Sequence, residues 1–221
     1  MEPSAAEDDA TVPEQDHRPA ERPPTGHRRT EPRRRQERAI LRRERLLEAA
    51  VELLEEGGFT AVTHRAVARR AGVPLAATSY YFTCRAALLA EAFTLLVERE
   101  LAAIRAHLEA VPADPPDALA EALVQILTHD RQRRLGLWEL YLQAGRDPDL
   151  QRIARAWTDG CDEIVSWVLH RSGHHARPSQ VRFVTTVLSG LWVEGIVEDR
   201  PDARRRIREV LTHTLAALRA P

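Results

Sequence analysis

From about residue 35 to its end, this chain repeats apolar side chains three and four residues apart, in runs broken by Gly and Pro. That period belongs to helices that bury one face. The plainest run is Leu150, Ile153, Trp157, Ile164 and Val168. A strand pattern needs alternation, and the aromatic residues, Val and Thr are too scattered to draw one. Ala, Leu, Arg and Glu fill the intervals, all strong helix formers. With 43% hydrophobic residues, the 221-residue chain can build a core, which argues against wholesale disorder. The expectation is an all-α protein.

Charge is distributed unevenly. Residues 1–27 carry 2 Arg against 7 acids, net −5; residues 28–90 carry 13 Arg against 7 acids, net +6; the remainder is −2. A basic block between acidic neighbours points to a polyanionic partner met by one end of the molecule. All 32 basic residues are arginine, whose planar fork suits phosphates and guanine edges. Cys84 and Cys161 are far apart and form no C-x-x-C pair, so they read as free thiols of a reducing cytoplasm. The N-terminus lacks the apolar stretch of a signal peptide. The segment Phe183 to Val197 is shorter than the roughly 20 residues of a membrane span and carries Glu194. A cytoplasmic protein without membrane contact is expected.

Residues 1–34 hold six prolines, many charges and almost no large apolar group. They read as a disordered leader. Its basic end, Arg28, Arg29 and Arg33 to Arg35, has two readings: an arm on DNA backbone or minor groove, or a solvated leader. A first helix is predicted from about Arg35 to Glu56, stopped by Gly57-Gly58. Thr63 caps a short helix from His64 to Ala71. Gly72-Val73 makes the turn, and a second short helix opens at Pro74 and runs through Tyr80 or Tyr81. A long helix follows, from about Cys84 to Ala110. Five more are predicted: 115–129, 131–144, 147–170, 179–198, and one opening at Pro201 and carrying its apolar face through Leu218.

Two short helices joined by a tight glycine turn, in a basic setting, form the helix-turn-helix pattern. The first braces across the phosphate backbone. The second enters the major groove, so its outer face must be small or hydrogen-bonding. Leu75, Ala76, Ala77, Thr78 and Ser79 meet that requirement, with the Tyr80 and Tyr81 hydroxyls at phosphate height.

Residues 40–89 resemble the DNA-binding domain of the tetracycline-repressor (TetR) family. The resemblance lies in Ile40 to Phe59 ending in Gly-Phe, in Thr63-His64-Arg65-Ala66-Val67-Ala68 followed by Ala71-Gly72-Val73, and in Tyr80-Tyr81-Phe82 with Arg85 and Leu88-Leu89. It implies that Thr63, Arg65, Tyr80 and Arg85 contact phosphates and that Leu75 to Ser79 read bases, with His64 and Tyr81 in the same interface. Ser79 stands where the family often has Tyr, Tyr81 where it often has His, Arg85 replaces Lys, and Cys84 replaces Ser. The resemblance further implies a cavity between the middle helices for an unidentified small-molecule effector. The candidate lining is Trp138, Tyr141, Leu142, Trp157 and Cys161. It also implies a homodimer through helices 179–198 and 201–218, where Ser189, Gly190 and Gly195 allow close packing.

Three further features each carry two readings. Cys84 is either a redox-sensitive thiol at a helix start or a small residue tolerated there. His170, His174 and His175 are either metal ligands or dipole-compatible residues at a helix end. Glu194 either meets an arginine across a dimer or a cationic ligand group, or sits at the watered edge of its stripe. No cofactor motif is present: the chain has neither a phosphate loop nor H-E-x-x-H, and no nucleophile–base spacing that would make it an enzyme.

The resulting expectation is an all-α chain with a three-helix helix-turn-helix DNA-binding domain (35–83) and a helical bundle for ligand binding and dimerisation (84–221). Its function would be that of a ligand-responsive regulator, a repressor released from a palindromic double-stranded DNA operator. The alternatives are a helical small-molecule-binding protein, or a small enzyme, without operator recognition.

Overall fold

A computed structural model describes residues 30–112, 117–198 and 200–219. Among them are nine helices and no strand: α1 (Thr30–Ala61), α2 (His64–Arg70), α3 (Leu75–Tyr81), α4 (Arg85–Ala110), α5 (Asp117–Thr128), α6 (Arg131–Ala144), α7 (Pro148–Arg171), α8 (Pro178–Val197) and α9 (Ala203–Arg219). The expected leader falls largely outside the described residues. Where it is described, the expectation is corrected: Thr30 to Arg34 are already helical. The reason is local, since Arg, Glu and Gln propagate a helix without apolar help and Arg33 pairs with Glu37 one turn on at 3.1 Å. The chain divides into two units, 1–38 and Ala39–Pro221.

Gly57-Gly58 does interrupt α1. Gly58 leaves the helical region at φ 67°, ψ −164°, yet the chain resumes one more turn to Ala61. The other helices start and end within about two residues of their expected bounds, the ordinary uncertainty of helix ends. Side-chain caps set the starts of α2, α6 and α7: Thr63 Oγ1 accepts from Ala66 N at 3.1 Å, Asp130 Oδ1 from Arg133 N at 3.1 Å, and Asp147 Oδ1 from Asp149 N at 2.9 Å.

The main core joins α1, α2, α4, α6 and α7. Leu46, Leu54, Val62, Val67, Phe82, Leu88, Phe93, Leu96, Leu137 and Leu140 are all buried within it. Phe82 and Phe93, at 1% and 0% exposure, each contribute about 1.5–3 kcal/mol by leaving water. Smaller clusters extend the core through α4, α5 and α7, through α5, α8 and α9, and through α7 and α8. Among the described residues, no helix is long and apolar enough to cross a membrane.

The turn between α2 and α3 fixes the angle of the short pair. Gly72, at φ +65°, sends its N–H to Arg69 O, while Val73 N–H returns to Ala68 O at 3.0 Å. This is the paired closure of a helix C-terminus that requires a left-handed residue. Nothing lies within 4 Å of a Cβ added at Gly72. Gly72→Ala should therefore cost about 1–2 kcal/mol from backbone strain alone, read as a lower urea midpoint at unchanged slope. Gly72→Asn, which tolerates this conformation better, should lose less.

Candidate nucleic-acid interface and ligand cavity

Helix α3 has seven residues and a clear outer side. Leu75, Ala76, Ser79 and Tyr80 are exposed, with Tyr80 at 82%, and Ala77 is half-buried. Thr78 is a correction to the expected base-reading set. It is 0% exposed and its hydroxyl donates to Leu75 O at 2.7 Å, so it faces the core. Tyr81 is half-buried and meets Tyr80 edge-on at 5.0 Å. On α2, Arg65 and Arg69 are exposed and meet no carboxylate among the described residues. Arg70 differs, being held by Glu56 at 2.6 Å and Glu52 at 2.9 Å of α1. Thr63 is exposed, its hydroxyl oxygen already accepting the cap bond. His64 is half-buried, and its Nδ1 has no hydrogen bond among the described residues.

Arg85 does more than carry charge. Its Nε donates to Val62 O at 2.6 Å, its Nη2 donates to Phe59 O, and its guanidinium stacks over the Phe59 ring at 4.5 Å. It thereby receives the C-terminal carbonyls around the end of α1 and ties them to the start of α4. A planar fork meets both carbonyls and the ring in one fixed geometry, which an ammonium on a flexible stem matches less well. Cys84 is the exposed N-cap of α4, its Sγ accepting from Ala87 N at 3.5 Å. That bond holds its thiol below the ordinary value.

A cavity of about 100 Å³, open at its mouth, lies among α4, α5, α6, α7 and α8. Its walls are largely apolar (Ile104, Leu123, Leu137, Ile164, Leu188), with Trp157 and Trp192 on one side and Glu100, Arg134, Thr185 and Ser189 as polar groups. Of the five expected lining residues, Trp157 and Cys161 lie here. Trp138 and Tyr141 line an adjoining pocket that shares Trp157 and Trp192. The rings pack in series, with Trp138–Trp192 and Trp192–Trp157 centroids both 6.4 Å apart. Leu142 is a correction: it is 57% exposed and lines neither pocket. One residue past Tyr141 turns the side chain by about 100°, off the inner face of α6. Burial pushes the Cys161 thiol up to about 12, helped by Asp162 and Glu100. Burial also raises Glu100, against the pull of Arg133.

Helix α6 touches both regions. Arg134 and Leu137 line the cavity, while Arg133 pairs with Glu55 of α1 at 3.0 Å and Glu100 of α4 at 3.4 Å. Glu139 accepts a hydrogen bond from Phe59 N beside the Gly58 break. Arg99 with Glu48 and Arg43 with Glu91 add two α4–α1 ties. Periodicity could not find this arrangement, because Arg133 and Glu139 look like any solvated helix face until α1 is laid against them.

The remaining candidates resolve simply. Glu194 finds its arginine within the same chain: Arg206 of α9, at 2.6 Å. His170 and His175 rings meet edge-on at 5.4 Å. Among the described residues, no group of three or more His, Cys, Asp or Glu could hold a metal ion.

Comparison with known proteins follows this layout. Residues 46–92 match the sequence profile of bacterial regulatory proteins of the tetR family, and residues 112–217 match that of the tetracyclin repressor-like C-terminal domain. The chain is 25% identical over 190 residues to the HTH-type transcriptional regulator BetI of Burkholderia thailandensis, covering 82% of this chain and 95% of that one. It is 28% identical over 157 residues to the HTH-type transcriptional repressor KstR of Rhodococcus jostii, covering 71% of each. Among solved structures it resembles the multidrug binding protein EbrR complexed with proflavin, at TM-score 0.62 and 30% identity over 78% of this chain and 99% of that one. EbrR is also solved with ethidium and malachite green. A TetR-family member from Streptomyces coelicolor A3 is similar at TM-score 0.62 and 29% identity, over 78% and 97% of the two chains.

Two outcomes test the geometry. Arg85→Lys keeps the charge but loses the fork, and should lower stability by about 1–3 kcal/mol in denaturant titration; a side chain serving only as a phosphate contact would leave stability unchanged. Alkylation by iodoacetamide between about pH 7 and 9 should modify Cys84 first, with a rate midpoint below that of an ordinary thiol, since the Ala87 bond favours its thiolate. Cys161 should stay unmodified across that range while the protein is folded. Equal rates at the two thiols would contradict the burial of Cys161.

Proposed function

The chain belongs to the tetracycline-repressor family of transcriptional regulators, and from that premise we propose a dimeric repressor released from its operator when a small molecule fills the α4–α8 cavity. The observation that carries this reading is the double role of α6. A ligand that moves Arg134 or Leu137 moves Arg133 and Glu139 with them, and those two hold α1 next to the helix-turn-helix. The ligand then needs only to prefer one setting of α6 over another to shift the population of DNA-competent heads. The likeness to EbrR, solved with several drugs, supports a small-molecule occupant.

In this reading residues 35–83 bind DNA and 84–221 bind ligand and dimerise. Leu75, Ala76, Ser79 and Tyr80 meet the major groove. Thr63, His64, Arg65, Ala77 and Tyr81 complete the interface at its edges and backbone. Arg85 acts chiefly by bracing the head. The dimer forms through α8 and α9, whose outer faces carry Phe183 at 49%, Val197 at 66% and Val210 at 36% exposure, apolar groups a second copy would cover. Twofold symmetry sets the two α3 helices in successive major grooves, about 34–36 Å apart. A regulator of this kind works in the cytoplasm and carries out no catalysis.

The test titrates the full chain against the DNA upstream of its own gene and against a scrambled duplex, at two salt concentrations. Specific binding should exceed non-specific binding by about a thousandfold or more. Arg65→Ala should weaken both, its salt slope falling by about one unit. No binding to either duplex would overturn the reading.

A further inference from the structure

The cavity holds two charges, and their situations differ. Glu100 has a partner, since Arg133 stands 3.4 Å away and is itself fixed by Glu55. Arg134 has none among the described residues. It is 5% exposed, and its one hydrogen bond runs from Nη1 to a neutral carbonyl, Leu127 O, at 2.7 Å. Its Nε is buried without any acceptor. A Cβ at Gly195 would lie 3.2 Å from Nη1, so that glycine makes room for the guanidinium beside α8. The surroundings add no compensation by contact. Arg134 sits in the first turn of α6, the positive end of the helix, with Arg131 acting against its charge and only the capping Asp130 acting for it. Burial pulls its pKa below the ordinary arginine range. A buried cation without a counter-ion is costly, and this one faces a cavity walled by leucine, isoleucine and tryptophan.

We propose that the effector is an apolar molecule bearing one carboxylate, and that Arg134 receives that carboxylate. This deepens the regulatory reading above and rests on it. The carboxylate takes the unpaired Nε–H and an Nη2 donor, two of the four guanidinium donors that the Leu127 bond leaves unused, while the apolar body lies against Leu123, Ile164 and the Trp157–Trp192 pair. Arg134 is thereby a specificity-determining residue: it favours an anion over a neutral analogue of the same shape, and over a cation.

The test uses matched probes in two frames, naphthyl and decyl, each as carboxylate, primary amide and ammonium, with binding to the full chain measured by calorimetry. In at least one frame the carboxylate should bind about tenfold or more tightly than the amide, as a charge-assisted hydrogen bond requires, and the ammonium should bind most weakly. Arg134→Met should reduce the carboxylate-to-amide ratio to within about twofold, while Arg134→Lys retains part of it. Ligand-free Arg134→Met should melt no lower than the parent, since it removes an unpaired buried charge. A marked loss of stability would instead assign Arg134 to holding α5 against α6. A preference for the ammonium probes, or no carboxylate preference in either frame, overturns the proposal on the parent protein alone. Gel mobility on the operator, run with the same preparations, separates the two readings. A chain that grips operator yet prefers ammonium fails only this proposal, and one that prefers carboxylate yet grips no operator fails only the regulatory one.

Discussion

Helices of seven residues do not persist in water by themselves, and both α2 and α3 are of that length. Whatever reads DNA here is therefore held in shape by its neighbours. Val67 of α2 and Phe82 at the end of α3 sit in the same buried cluster as Leu46 to Leu54 of α1, Leu88 to Val97 of α4 and Leu137 to Ala144 of α6. The head borrows its rigidity from helices that also wall the cavity. The proposed coupling of the two regions would act through that shared core, with no separate relay required.

The arginines divide by task. Arg43, Arg70, Arg85, Arg99 and Arg133 are each tied to acids or carbonyls of another helix, and together they lace α1 to α2, α4 and α6. Arg65 and Arg69 are turned outward without such ties among the described residues. A single residue type thus serves both as internal strut and as the positive face offered to a polyanion. The difference lies in whether an acid or an open helix end is within reach. Exposed pairs of this kind contribute little stability one by one; their value is in fixing the relative placement of helices that share a core.

Much of this was readable from the amino acids, and the misses have physical causes. Helix α6 could be bounded at Arg131 and Ala144 because Asp130 caps it and Gly145 follows, and because Leu137, Leu140 and Ala144 mark its inner stripe. The start of α1 leaves no periodic signal because its first residues hold no apolar stripe, only helix-forming charged residues. Thr78 faces the core because α3 packs that side inward; seven residues are too few for the sequence to define which face is inner, and a threonine suits either. The apolarity of Leu142 suggests a cavity wall, yet it stands about 100° from Tyr141 on the helix and faces solvent. Arg134 sits in a run of arginines that reads as a solvated face. Only the approach of α5 and of Gly195 on α8 shuts it away from water.

The outward face of α3 comprises Leu75, Ala76, Ser79 and Tyr80, with Thr78 turned inward. That is a short alphabet. Three or four side chains at base edges distinguish about as many base pairs, and a site of four base pairs recurs by chance every few hundred positions. To be unique among the roughly million or more competing sites of a genome, a target must be specified at about ten positions. One copy of this helix carries less than half that information, and two copies acting on one target come close. For the proposed dimeric repressor, pairing of chains is then a matter of addressing as much as of affinity: alone, such a head would find DNA almost anywhere and a particular gene almost never.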